Sequence, residues 1–99
     1  MKVLITGSSG LLGGRIFKFL REKNFKVISL NRKKNTPINF KSKKKIEKSC
    51  RGVDVIINCI GKDIYTSKNR KKTIFANAEI PSIIYNAGSN SGVKYFIYI

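Results

Sequence analysis

The chain predicts an α/β fold, a parallel sheet with helices on both faces, and three observations carry that expectation. A short continuous apolar run, Val3, Leu4 and Ile5, is followed at once by Gly7, Gly10 and Gly13. An amphipathic stretch comes next and leads into a second apolar run within Lys26–Leu30. Further along, strand-like runs at Val53–Asn58 and Tyr95–Ile99 are separated by a stretch with helical patterning. Strands alternating with helices imply βαβ units and therefore a parallel sheet.

Val3, Leu4 and Ile5 include β-branched residues in an unbroken apolar run, as a strand covered on both faces requires. A strand reversing into a helix within a few residues needs a turn residue free of a Cβ clash, which Gly7 supplies. Gly10 has no side chain to hold a bulky anion away from the first N–H groups of the helix, and these carry partial positive charge. Gly13 lets the helix lie close on the strands. These are the tasks of the glycines in a dinucleotide-binding turn of a Rossmann-type, doubly wound sheet, where the anion is a pyrophosphate. Ser9, Leu11 and Leu12 complete the turn and the helix start, so Gly7, Ser9, Gly10, Leu11, Leu12 and Gly13 are candidate cofactor-binding residues. Leu12, Ile16 and Leu20 follow at fourfold spacing with Phe17 and Phe19 widening the stripe, while Arg15, Lys18 and Glu22 lie opposite. That pattern is an amphipathic helix, which Lys23 and Asn24 can end before the second strand.

The segment Thr6-Gly7-Ser8-Ser9-Gly10-Leu11-Leu12-Gly13 resembles the Thr-Gly-x-x-Gly-x-x-Gly turn of the extended short-chain dehydrogenase/reductases, which include nucleotide-sugar epimerases, dehydratases and reductases. The resemblance runs along the whole chain. It implies a bound nicotinamide dinucleotide and a small-molecule substrate, a nucleotide-sugar.

Ninety-nine residues with 41% hydrophobic content make one small domain. The net charge of +16 would attract nucleic acid or an anionic membrane on electrostatic grounds alone. Lysine is spread over presumed helix faces, loops and strand ends rather than gathered in one stripe, and no nucleic-acid motif accompanies it. The reading is of solvated surface lysines, with neither nucleic acid nor membrane as partner. Two isolated cysteines, Cys50 and Cys59, and no histidine leave no ligand grouping for a metal. Met1 leads directly into the first strand, and no apolar run approaches the roughly eighteen residues a membrane span needs. A reducing cytoplasm is the expected compartment.

The end of the second strand bears on the choice of cofactor. Asn31 stands where NAD-preferring members of the resembled family carry an aspartate, and Arg32 follows. Without a carboxylate there to repel a 2′-phosphate, Arg32 can pair with one, helped by Lys33 and Lys34. NADP is therefore the first expectation and NAD the alternative, since Asn31 can hydrogen-bond a ribose. A basic run of this kind also reads as one more solvated stretch.

Asn35-Thr36-Pro37 predicts a turn and Ile38–Phe40 at most a short third strand. Lys41 to Cys50 predicts a short helix with Ser42 as N-cap and Ile46 buried. Arg51 and Gly52 end it, and Val53 to Asn58 is the clearest strand after the first. Its C-terminal end belongs at the ligand-binding edge of an open parallel sheet, so Asn58 and Gly61 are cofactor-lining candidates. Cys59 reads as a small buried residue with no neighbour to activate it. From Thr73 to Ser91 a helical pattern returns, with Pro81 either kinking it or opening the helix proper. Asn77-Ala78-Glu79-Ile80-Pro81 resembles the start of a helix in the family, which places Asn77 in the polar network near the cofactor; as chemistry alone it reads equally as an N-cap or surface residue.

Gly92 to Ile99 predicts a turn and a final strand, about five strands in all, and matches the family's Gly-Val-Lys-x-Phe-Val-Tyr pattern. In complete members a Ser or Thr follows and a Tyr-x-x-x-Lys pair comes later, the tyrosine moving the proton. No Tyr-x-x-x-Lys occurs here: Tyr65 is followed by Asn69 and Tyr85 by Ser89. No catalytic residue is assigned. The expectation is of an N-terminal cofactor-binding piece of an oxidoreductase, epimerase or dehydratase, inactive alone and able to form a homodimer through the missing part. The rival expectations are a non-catalytic NADP-binding sensor or structural subunit and, behind it, a basic nucleic-acid-binding protein.

Overall fold

The computed structural model describes residues 1–30, 42–60, 71, 74 and 78–99. Along the chain these give β1 (Lys2–Thr6), α1 (Leu11–Glu22), β2 (Lys26–Leu30), α2 (Lys43–Ser49), β3 (Val55–Asn58), α3 (Ile80–Asn90) and β4 (Tyr95–Tyr98). Four strands form one sheet in the order β2-β1-β3-β4, every neighbouring pair parallel. Of the five strands expected, four are present among the described residues; the expected strand at 38–40 lies outside them.

Strand order reverses beside β1. The chain steps from β1 to β2 in one direction and from β3 to β4 in the other. Right-handed crossovers therefore place α1 on one face of the sheet and α3 on the opposite face. The α3 face holds the main core, where Leu4, Leu30 and Ile56 meet Ile46 and Cys50 of the α2 region and Ile80, Ile84 and Ala87 of α3. Leu4, Ile56 and Phe96 share one register row, which makes this face continuous across three strands. Phe96 takes the ring of Tyr85 edge-on, centroids 5.3 Å apart.

Ile46 is fully buried and Ser42 precedes α2, as expected, although the Ser42 hydroxyl makes no capping bond. Pro81 is the second residue of α3, and helical backbone precedes it: Ala78 and Glu79 are π-helical and Glu79 has φ −71° and ψ −47°, so the proline follows a π-bulge. Two expectations are corrected. Val53 is buried but lies outside the ladder: its N–H donates to Cys50 O in the turn after α2, and the strand begins at Val55 after Asp54, whose carboxylate accepts the Lys2 N–H at 2.9 Å and whose N–H donates to Lys2 O. On α1, Ile16, Phe17 and Leu20 are half-buried, but Leu12 and Phe19 are 51% and 56% exposed. Periodicity gave the apolar side of this helix a wider contact than β1 and β2 offer, and the Phe19 ring is instead approached by Lys23 Nζ at 5.6 Å.

Candidate functional site

The site is built where β1 ends. Gly7 has φ +78°, a left-handed conformation that favours glycine. A Cβ there would stand 2.7 Å from the Cys59 carbonyl carbon and 2.9 Å from Ile60 N. The turn therefore lies directly on the loop leaving β3. Gly13 packs from the other side: a Cβ on it would be 2.1 Å from Gly7 O and 3.2 Å from Cys59 Cβ. Helix α1 can approach the strand ends this closely only with glycine at that position.

Gly10 is the N-cap of α1 and provides no side-chain cap, and no acidic residue occupies the first turn. Gly10 N–H donates to Gly7 O at 3.0 Å, and the i→i−4 bond from Gly14 N–H to Gly10 O is 2.9 Å. The N–H groups of Leu11, Leu12 and Gly13 precede that bond and belong to the helix end that carries partial positive charge. Leu11 and Leu12 are exposed, as are Ser9 and Gly10, so this end of the helix is open to solvent. An open, uncapped N-terminus beside a cradle that a Cβ would fill fits the pyrophosphate of a dinucleotide.

Asn58 is fully buried beneath the turn. Its Oδ1 accepts the Thr6 hydroxyl at 2.6 Å and its Nδ2 donates to Ile60 O at 3.4 Å. Cys59 N–H donates to Thr6 O at 3.0 Å, and Gly7 N–H donates to Leu30 O at 3.3 Å. Three strand ends thus meet under the glycines. Thr6, to which the sequence assigned no role beyond the motif, is the member that joins β1 to β3. A further link, unmarked in the sequence, is the pair of hydroxyls Ser8 Oγ and Ser29 Oγ, 2.8 Å apart.

Burial raises the pKa of the Cys59 thiol and, more deeply in the core, that of Cys50, where Glu47 adds to the effect. Both thiols are held in their neutral form at ordinary pH. Of the sequence-derived candidates, Gly7, Ser9, Gly10, Leu11, Leu12, Gly13 and Asn58 are brought to one edge of the sheet. Asn31, Arg32, Gly61 and Asn77 lie outside the described residues.

The model of the NAD dependent epimerase/dehydratase family matches residues 3–99. The chain belongs to this family. A comparison with curated proteins finds no sequence match. Among solved structures, MoeE5 in complex with UDP-glucose and NAD is similar with a TM-score of 0.87 at 14% identity, over 99% of this chain and 36% of that one. UDP-glucose 4-epimerase of Thermotoga maritima, solved with UDP-glucose, gives 0.85 at 16% identity over 99% and 37%. A short-chain dehydrogenase/reductase superfamily protein of Agrobacterium tumefaciens with bound NAD gives 0.82 at 18% identity over 99% and 32%. At these identities the likeness is one of fold, and the chain spans about a third of the length of each of these structures. No helix among the described residues is long and apolar enough to cross a membrane.

Proposed function

We propose that this chain is the dinucleotide-holding part of an oxidoreductase, epimerase or dehydratase that acts on a nucleotide-linked sugar. The observation that carries the reading is the junction of Gly7, Gly13 and Cys59 beneath the uncapped start of α1. Pyrophosphate would lie against the N–H groups of Leu11, Leu12 and Gly13, with Gly10 leaving room for it and Ser9 at the rim. Asn58 supports the loop after β3, with Gly61 as a cofactor-lining residue and Asn77 in the polar network near the cofactor. A bound nicotinamide supplies hydride transfer. The sugar substrate is supported by the UDP-glucose in two of the similar structures. The chain has no Tyr-x-x-x-Lys, so we assign it the cofactor and not the proton transfer.

For the cofactor, the NAD in similar structures supports a nicotinamide dinucleotide in general. Asn31 followed by Arg32, with no carboxylate, supports NADP within that class. Titration of the purified chain with NADPH and with NADH, followed by nicotinamide fluorescence and repeated with Arg32→Ala, tests both levels. NADPH is expected to bind more tightly, and the variant is expected to abolish that preference. Equal binding of the two removes Arg32 from the reading. Failure of both to bind to a folded chain overturns the dinucleotide site.

A further inference from the structure

A turn rich in glycine has few side chains with which to hold its own shape. Between Gly7 and Gly10 the residues with side chains are Ser8 and Ser9, and Ser9 is exposed. Ser8 is half-buried, and its hydroxyl meets that of Ser29 at 2.8 Å. Ser29 lies one residue before the end of β2, in register with Ile5, and so stands on the α1 side of the sheet. Ser8 also lies close against α1: its carbonyl oxygen is 3.1 Å from where a Cβ on Gly14 would stand, so the glycine leaves room for it. A displacement of Ser8 therefore alters the turn and its packing on the start of the helix.

We infer that Ser29 is a positioning residue for the anion-binding turn: through Ser8 it fixes the Ser8–Gly10 backbone and the entry of α1, on which pyrophosphate binding depends. The inference rests on the dinucleotide reading above. Its physical basis is preorganisation. Without the cross-link the glycine-rich segment samples more conformers, and the ligand must order them on binding.

The test is a double-mutant cycle of Ser29→Ala and Ser8→Ala, read by NADH titration, by competition with ADP and with adenosine, and by thermal melting. Each single variant is expected to weaken NADH and ADP roughly three- to tenfold, the range for loss of one hydrogen bond. Adenosine, which has no pyrophosphate, is expected to bind as it does to the parent chain. The double variant is expected to be weakened by less than the product of the two single losses, because the two variants share the Ser8–Ser29 bond. Ser29→Thr, which keeps a hydroxyl, is expected to restore NADH binding.

Unchanged NADH binding in folded Ser29→Ala, losses that multiply in the double variant, or a lowered melting temperature with affinity intact would each overturn the inference. If Ser29→Ala does not fold, Ser8→Ala reads the same bond from the turn side. A parent chain that binds none of NADPH, NADH and ADP overturns the dinucleotide reading and this inference together, and does so before any variant is compared.

Discussion

Gly7 O is approached by two glycines with different tolerances. A Cβ on Gly13 would stand 2.1 Å from it, against main-chain atoms that cannot rotate away, whereas a Cβ on Gly10 would stand 3.4 Å from it. Gly13→Ala is accordingly expected to cost about 3 kcal/mol, seen as a melting temperature lower by more than ~10 °C. Gly10→Ala is expected to cost about 1 kcal/mol or less, because its φ of −83° suits any residue and only the weaker N-cap preference is lost. The loss in Gly10→Ala should instead fall on NADH affinity, since the new methyl group stands at the mouth of the helix N-terminus. Thermal melting and NADH titration of both variants separate the two roles. The close packing at Gly13 was legible in the glycine spacing. Which atoms Gly13 packs on was not, because Cys59 is 46 positions away in the chain and only the β1–β3 pairing brings it near.

Among the elements, the C-terminal ends of β1 and β3 are joined by Thr6 and Asn58, both fully buried and bonded to each other at 2.6 Å. Thr6→Val preserves shape and removes the donor, leaving Asn58 Oδ1 without it in the interior. We expect a loss of about 1–3 kcal/mol in urea unfolding with an unchanged m-value. If stability is unchanged, the bond holds nothing that the ladder does not already hold. Helix and strand positions were legible where periodicity and punctuation agreed, as with the left-handed Gly52 after α2. They were less so at Val53, which looks like part of the strand by composition. Its N–H donates to Cys50 O in the turn after α2, a bond that apolar composition does not reveal, and the strand begins at Val55.

Over the whole molecule, 21 lysines and arginines face 5 acids, a net charge of +16 on 99 residues. Among the described residues one ion pair is formed, Lys43–Glu47 at 3.9 Å on the surface of α2. Like charges at this density repel in the compact state. The melting temperature is therefore expected to rise when sodium chloride is raised from roughly 20 mM to about 0.5 M, where the screening length falls below the spacing of most surface charges. A flat response would mean that the charges are too far apart to matter to folding. The molecule also leaves apolar surface on the α1 side of β4, where Tyr95 is 64% and Ile97 46% exposed, in contrast to the closed core under α3.

By itself the sequence determined the βαβ order, the glycine turn and its helix, and the family, because each is written in local spacing: apolar runs of strand length and glycines at 7, 10 and 13. Tertiary structure decided what the turn rests on. The contact of Gly7 and Gly13 with Cys59, the Thr6–Asn58 bond and the Ser8–Ser29 bond all join residues distant in the chain. Parallel pairing sets such partners through crossovers of variable length, so no local pattern encodes them, and they become visible only when β1, β2 and β3 lie side by side.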